Sequence, residues 1–217
     1  GAAGSLDSVH ADGVRRGTAG RSIARSWRVW GRGLSAPRST EVEAPIPRDD
    51  TRWDAAETVF DCPWFRVQRA GNWHRVTGDG GAVVIARAPG GLVFVEIERP
   101  QTGRRHLELP RGGRQGPDEG DSACALRELG EETGLAGRPA TARRLGGIHP
   151  DTGLCGPGEV AVIAVEADDT PRGARDGEVS GVRIIPEAVV WDLVARGAVT
   201  CGITLAALAL WAAAGRA

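Results

Sequence analysis

The stretch Gly113–Leu135, GRQGPDEGDSACALRELGEETGL, concentrates the residues able to do chemistry. Asp121 and Ser122 are suitable N-cap residues and Gly134 a suitable C′ residue, so a helix is expected from about Ser122 to Thr133. At roughly 100° per residue, Ala125, Leu126 and Leu129 share one side, and Arg127, Glu128, Glu131 and Glu132 fall on the opposite arc. Most charged arcs of this kind are solvated surface. Here the energetics argue otherwise. Glu128 and Glu132 form an i,i+4 like-charge pair costing about 0.2–0.5 kcal/mol, and all three glutamates lie toward the negative end of the helix dipole. Gly130 costs up to about 1 kcal/mol relative to alanine, and only Arg127, four residues before Glu131, offers relief. The simplest compensation is a bound cation.

Carboxylates at i, i+3 and i+4, with no histidine or clustered cysteine, are hard oxygen ligands suited to Mg²⁺ or Mn²⁺ rather than zinc. Just upstream, Gly112, Gly113, Gly116 and Gly120 form a loop whose backbone allows close approach by a ligand. A glycine-rich loop feeding a carboxylate helix points to metal-assisted phosphate chemistry.

Gly113, then Glu119, then Arg127-Glu128-Leu129-Gly130-Glu131-Glu132-Thr133-Gly134-Leu135 resembles the Nudix hydrolase box at every fixed position. The resemblance implies an α/β/α sandwich with a mixed sheet and hydrolysis of a nucleoside diphosphate linked to another group, with divalent metal. Carried onto this chain, it makes Glu128 and Glu132 the first metal ligands and Glu131 an additional ligand or the proton acceptor. A loop carbonyl, Gly112 in the first instance and Gly113 as the alternative, is a further ligand, and Arg127 orients the glutamates. The spacing back from Glu119 selects Gly113 as the first box glycine, one residue beyond the Gly112 that closes Glu108-Leu109-Pro110-Arg111-Gly112.

A second run, His149-Pro150-Asp151-Thr152-Gly153 followed by Glu159, is similar to the proline-glycine loop and acid of ADP-ribose pyrophosphatases, and the tail Gly197–Leu208 is similar to theirs. ADP-ribose or a related nucleotide sugar is therefore the expected substrate, with Glu159 as a catalytic carboxylate and Glu178 as its rival. Arg99, Glu108 and Arg111 are the expected substrate-binding residues, the arginines through phosphate oxygens. The alternatives are another diphosphate (a dinucleotide, a nucleoside triphosphate or a prenyl diphosphate) or, in a different class, a nucleotide-sensing module without turnover.

The elements that must position these residues follow from pattern. Strands are expected at Trp64–Val67, Gly81–Ala86 and Leu92–Ile97, the last two as a hairpin through Pro89-Gly90-Gly91, and then at His106–Leu109, Ala142–Ile148, Val160–Ala167 and Val179–Ile185. Pro186 opens a helix that Gly197 closes, and another runs from about Gly202 to Ala214. Hairpins among helices make the fold α/β with a mixed sheet. Trp53, Trp64 and Trp73 read as core, with base stacking the alternative.

The chain has 217 residues, 41% hydrophobic and 25% charged, with net charge −1, which fits one domain plus an extension and gives no excess charge pointing to nucleic acid. Residues 1–50 form an Arg-rich extension, read as loosely structured with a short helix near Ser22–Trp30, and 51–217 form the hydrolase domain. All 27 basic residues are arginine, a compositional bias without functional meaning. Cys62, Cys124, Cys155 and Cys201 are widely spaced and read as free thiols of a cytoplasmic protein. The apolar stretch Val199–Ala214 is too short for a membrane span and reads as a core helix. Trp53, Phe60, Trp64 and Phe65 exceed what a peripheral strand needs, and related ADP-ribose enzymes pair through this region, so a homodimer is expected.

Overall fold

The computed structural model describes residues 51–173, 175 and 177–215; the expectations for residues 1–50 lie outside them. Among the described residues, ten strands and three α-helices follow in chain order: β1 Glu57–Asp61, β2 Arg66–Ala70, β3 Trp73–Thr77, β4 Gly81–Ala88, β5 Gly91–Arg99, β6 Arg104–Glu108, β7 Arg111–Gly113, α1 Asp121–Thr133, β8 Arg143–Ile148, β9 Val160–Glu166, β10 Val179–Ile185, α2 Glu187–Ala195 and α3 Gly202–Ala214. β1–β3 make a small antiparallel sheet; β4–β10 make the larger one, in the order β10-β5-β4-β9-β8, with β6 on β5 and β7 on β4.

The layers follow from the side-chain alternation of β4. Ala82, Val84 and Ala86 turn to one face, against Cys124, Ala125 and Leu129 of α1. Val83 and Ile85 turn to the other, where Val190 of α2 and Ala207 and Leu208 of α3 cover them. Helices on both faces explain why β4 is apolar throughout. β4–β9 is parallel and the other pairs antiparallel, so the sandwich and the mixed sheet are as expected. No described helix is long and apolar enough to cross a membrane.

The expected hairpin closes for only two pairs, Arg87↔Leu92 and Ala88↔Gly91. Beyond them β4 and β5 part, and the chain from β6 to β7 enters the gap. Val95 pairs Glu108, Val84 N–H donates to the Pro110 carbonyl (2.9 Å), and Val83 pairs Arg111. Pro110 has no N–H to continue a ladder, so the chain changes partner there. This crossing delivers the glycine loop under α1.

Three other details differ from the pattern reading. The strand expected at Trp64–Val67 begins at Arg66, because Pro63 and Trp64 lie in a turn closed by Cys62 N–H on the Phe65 carbonyl (3.1 Å). The N-cap of α1 is Gly120, without a side-chain cap, because Asp121 is already helical and its carboxylate is taken by arginines. Trp64 and Trp73 are exposed and Trp53 only half-buried, so they are not core. The other end of α1 is as expected, with Gly134 left-handed at φ 72° and donating to Gly130 O at 2.8 Å.

Leu129 is fully buried between α1 and the sheet. Leu129→Ala should lower unfolding free energy by about 2–5 kcal/mol, measured by urea titration.

Candidate active site

α1 lies on the sheet so that its charged arc faces β7. Glu128 and Glu132 are buried, at 8% and 5% exposure, whereas Glu131 is exposed. A Cβ on Gly112 would overlap the Glu128 carboxylate, so only glycine permits this approach. Glu132 Oε2 accepts the Arg111 backbone N–H at 3.1 Å. The glycine loop and two of the three box glutamates are therefore one packed unit.

Arg127 is its hub. It donates to Glu119 Oε1 (2.8 Å) and Oε2 (3.0 Å), Glu128 Oε1 (2.7 Å), Glu131 Oε2 (2.9 Å) and the Gly113 carbonyl (2.7 Å). Glu119 also accepts the Gln115 N–H at 2.7 Å. The hydrogen bond from Arg127, with that from Gln115, drops the Glu119 carboxyl to about 2. The Arg127 guanidinium moves up, chiefly through its bond to Glu119. Glu128 moves up because burial outweighs the pull of Arg127. Cys124, on the buried side of α1, is pushed up to about 11, first by burial and then by Glu119, and so is an inert thiol.

The carboxylates spread around Arg127, and among the described residues no three His, Cys, Asp or Glu side chains converge on a single metal-binding point. One guanidinium does not neutralise Glu119, Glu128 and Glu131 together. Buried Glu128 and Glu132, an approach kept open by Gly112 and an all-oxygen donor set fit a hard divalent cation. Of the two loop carbonyls, that of Gly113 is engaged by Arg127 and that of Gly112 is turned toward Gly81.

Glu108, on the crossing strand, is 2% exposed. It accepts from Arg99 Nε (3.2 Å) and Nη2 (2.9 Å), from Arg111 Nε (3.1 Å), and pairs with Arg111 Nη2 at 3.0 Å. Burial pushes its carboxyl up, but the bond from Arg99 and the two positive charges outweigh this and hold it below the usual range. Arg99, Glu108 and Arg111 border a cavity of about 420 Å³ with Thr102, His106 and Thr200. Pattern reading named this trio without its mutual contacts.

Glu159 immediately precedes β9, whose Val160 pairs Gly81 of β4, which pairs Gly113 of β7. The three strand ends thus gather Glu159 and the glycine loop at one edge, where the Glu159 carboxylate pairs with Arg144. Arg144 was invisible to pattern reading, since a lone arginine in a strand carries no signal. Glu178 is exposed just before β10.

The NUDIX domain family model matches residues 75–199, more than half of the chain. The chain belongs to the Nudix family. Members of this family act on small nucleotide substrates and generally use divalent cations, and the chain is a Nudix pyrophosphohydrolase. Among solved structures, a protein described as an ADP compounds hydrolase is similar with TM-score 0.53 and 20% identity over 71% of this chain and 88% of that one. A Nudix hydrolase from Nitrosomonas europaea is similar with TM-score 0.50 and 15% identity over 63% and 89%. No curated protein matches the sequence.

Glu119→Gln tests the Arg127 hub. A carboxyl depressed in the folded state stabilises above its unfolded value, near 4.5, and loses that contribution as pH falls toward 2. The variant should melt roughly 3–5 °C lower at pH 7, with the gap closing between pH 4.5 and pH 2 in scanning calorimetry.

Proposed function

We propose that this site hydrolyses the phosphoanhydride bond of a nucleoside diphosphate derivative, ADP-ribose or a related nucleotide sugar, with Mg²⁺ as cofactor and Mn²⁺ as a substitute. The observation that carries the reading is the burial of Glu128 against Gly112 and of Glu132 on the Arg111 N–H, beside the Arg99–Glu108–Arg111 cluster. Glu128, Glu131 and Glu132 would hold the cation, which when bound screens phosphate charge and activates a water. Arg127 keeps the glutamates oriented. Arg99 and Arg111, splinted by Glu108, bind phosphate oxygens. Glu159 accepts the proton of the attacking water.

Support for the ADP-ribose class comes from the other end of the molecule. The His149–Glu159 loop docks on β3, with Val76 N–H on the Leu154 carbonyl (2.9 Å) and Gly156 N–H on the Val76 carbonyl (2.8 Å). Between them is a cavity of about 480 Å³ lined by Trp53, Trp73, Arg75, His149 and Leu154, where the Arg75 guanidinium lies 4.1 Å over the Trp53 ring and that of Arg52 4.9 Å over Trp73, a cationic and aromatic lining suited to a flat base beside phosphate. The similar ADP compounds hydrolase agrees with this class.

A homodimer through the β1–β3 sheet is part of the same reading. Phe60, Trp64 and Phe65 are 51%, 82% and 41% exposed, with the two phenylalanine rings 5.6 Å apart, an apolar surface that a partner would cover. The cytoplasmic placement rests on four cysteines that are free in the structure.

With Mg²⁺, ADP-ribose should be cleaved to AMP and ribose 5-phosphate faster than nucleoside triphosphates, dinucleotides or prenyl diphosphates are hydrolysed, as followed by released phosphomonoester. Preference for a triphosphate or prenyl diphosphate would overturn the substrate class. Glu132→Gln should lower kcat by about two orders of magnitude or more with an unchanged melting temperature, because the amide oxygen still accepts the Arg111 N–H. Light scattering at micromolar concentration should give twice the chain mass, and a monomer would remove the dimer.

A further inference from the structure

The Glu159 side chain is held by a residue outside the box. Arg144 of β8 donates from Nε to Asp121 Oδ2 at 2.9 Å and from Nη2 to Glu159 Oε1. Asp121, the first residue of α1, also accepts from Arg114 Nη2, and Arg114 Nη1 donates to the Glu119 carbonyl at 2.6 Å. The Asp121 carboxyl is held below its usual range, since these two arginines outweigh its burial. A continuous chain of charges thus links Glu159 to the first turn of the carboxylate helix and to the loop before it.

The opposite wall is bare backbone. Gly147 of β8 pairs Ala161, and a Cβ on it would overlap the Glu159 carboxylate. The Glu159 carbonyl accepts the Gly81 N–H at 3.3 Å. The carboxylate, still 42% exposed, thus lies between the Arg144 guanidinium and Gly147, at the edge where β4, β7 and β9 begin or end. Four residues earlier, Cys155 bridges to Val76, so the second half of the loop is tied at 154–156 as well as at Glu159.

We propose that Arg144 is a positioning residue for hydrolysis: bound to Asp121, it fixes the Glu159 carboxylate relative to α1. The proposal rests on Glu159 as proton acceptor. Orientation of a group that acts in the transition state affects kcat more than KM.

The test uses the full chain with Mg²⁺ and the best substrate of the panel above. Arg144→Leu should lower kcat about tenfold or more with KM within about twofold, and Arg144→Lys should recover most of it. Gly147→Ala, which leaves every charge in place, should lower kcat similarly. In a Glu159→Gln background, Arg144→Leu should add nothing further. Equal losses with and without Glu159 would overturn the proposal, as would full activity in Arg144→Leu when Glu159→Gln is slow. A silent Glu159→Gln would instead overturn the proton-acceptor reading. Independently of turnover, hydrogen exchange over residues 149–159 should quicken in Arg144→Leu and stay slow in Arg144→Lys; unchanged exchange in Arg144→Leu would overturn the anchoring.

Discussion

Carboxylates can be buried beside a sheet only where something answers their charge and nothing occupies their space. Around Glu128 and Glu132 both conditions come from the same short segment. Arg111 offers a backbone N–H to Glu132, Gly112 leaves the volume that Glu128 fills, and the Gly113 carbonyl receives the Arg127 guanidinium that also grips Glu119, Glu128 and Glu131. Were Gly112 to carry a side chain, it would take the space of the Glu128 carboxylate, and α1 could not lie as close.

That segment reaches its place because β4 and β5 stop pairing after two residues. The gap between them admits β6, the change of partner at Pro110 and then β7, so one crossing presents two kinds of chemistry. Glu108 sits on the near side, clamped by Arg99 and Arg111 with charge-assisted bonds in a nearly dry setting. The glycines sit on the far side, under α1. The basic and acidic halves of the site are thus adjacent in both sequence and space, an arrangement suited to a substrate whose phosphates must meet cations on each side.

The small sheet β1–β3 is joined to this centre through the His149–Glu159 loop. Its backbone bonds to Val76 hold its middle, and the Arg144 pair holds its Glu159 end. Aromatic surface that would be wasted in a core is displayed on this sheet, some of it within the cavity facing the loop.

How much of this was legible beforehand depends on the range of the interaction. Local periodicity and capping residues determined α1, the long strands β4, β5, β9 and β10, the two C-terminal helices and the glutamate arc, because each is encoded within a few turns or a few residues of its own segment. The box motif, equally local, pointed to the family. β1, β3 and β7 escaped notice: two have little buried apolar alternation, and the third is one arginine and two glycines that become a strand only because β4 lies beside them. Tertiary structure alone decided that Glu128 and Glu132 are buried while Glu131 is exposed, since helix geometry places all three on one arc and only the position of β7 separates them. It alone brought Arg144 to Asp121 and Glu159, residues 23 and 15 positions away in the chain. It also turned tryptophans expected in the core outward, because hydrophobicity registers a residue's preference for burial and not which surface, in this chain or another, is available to cover it.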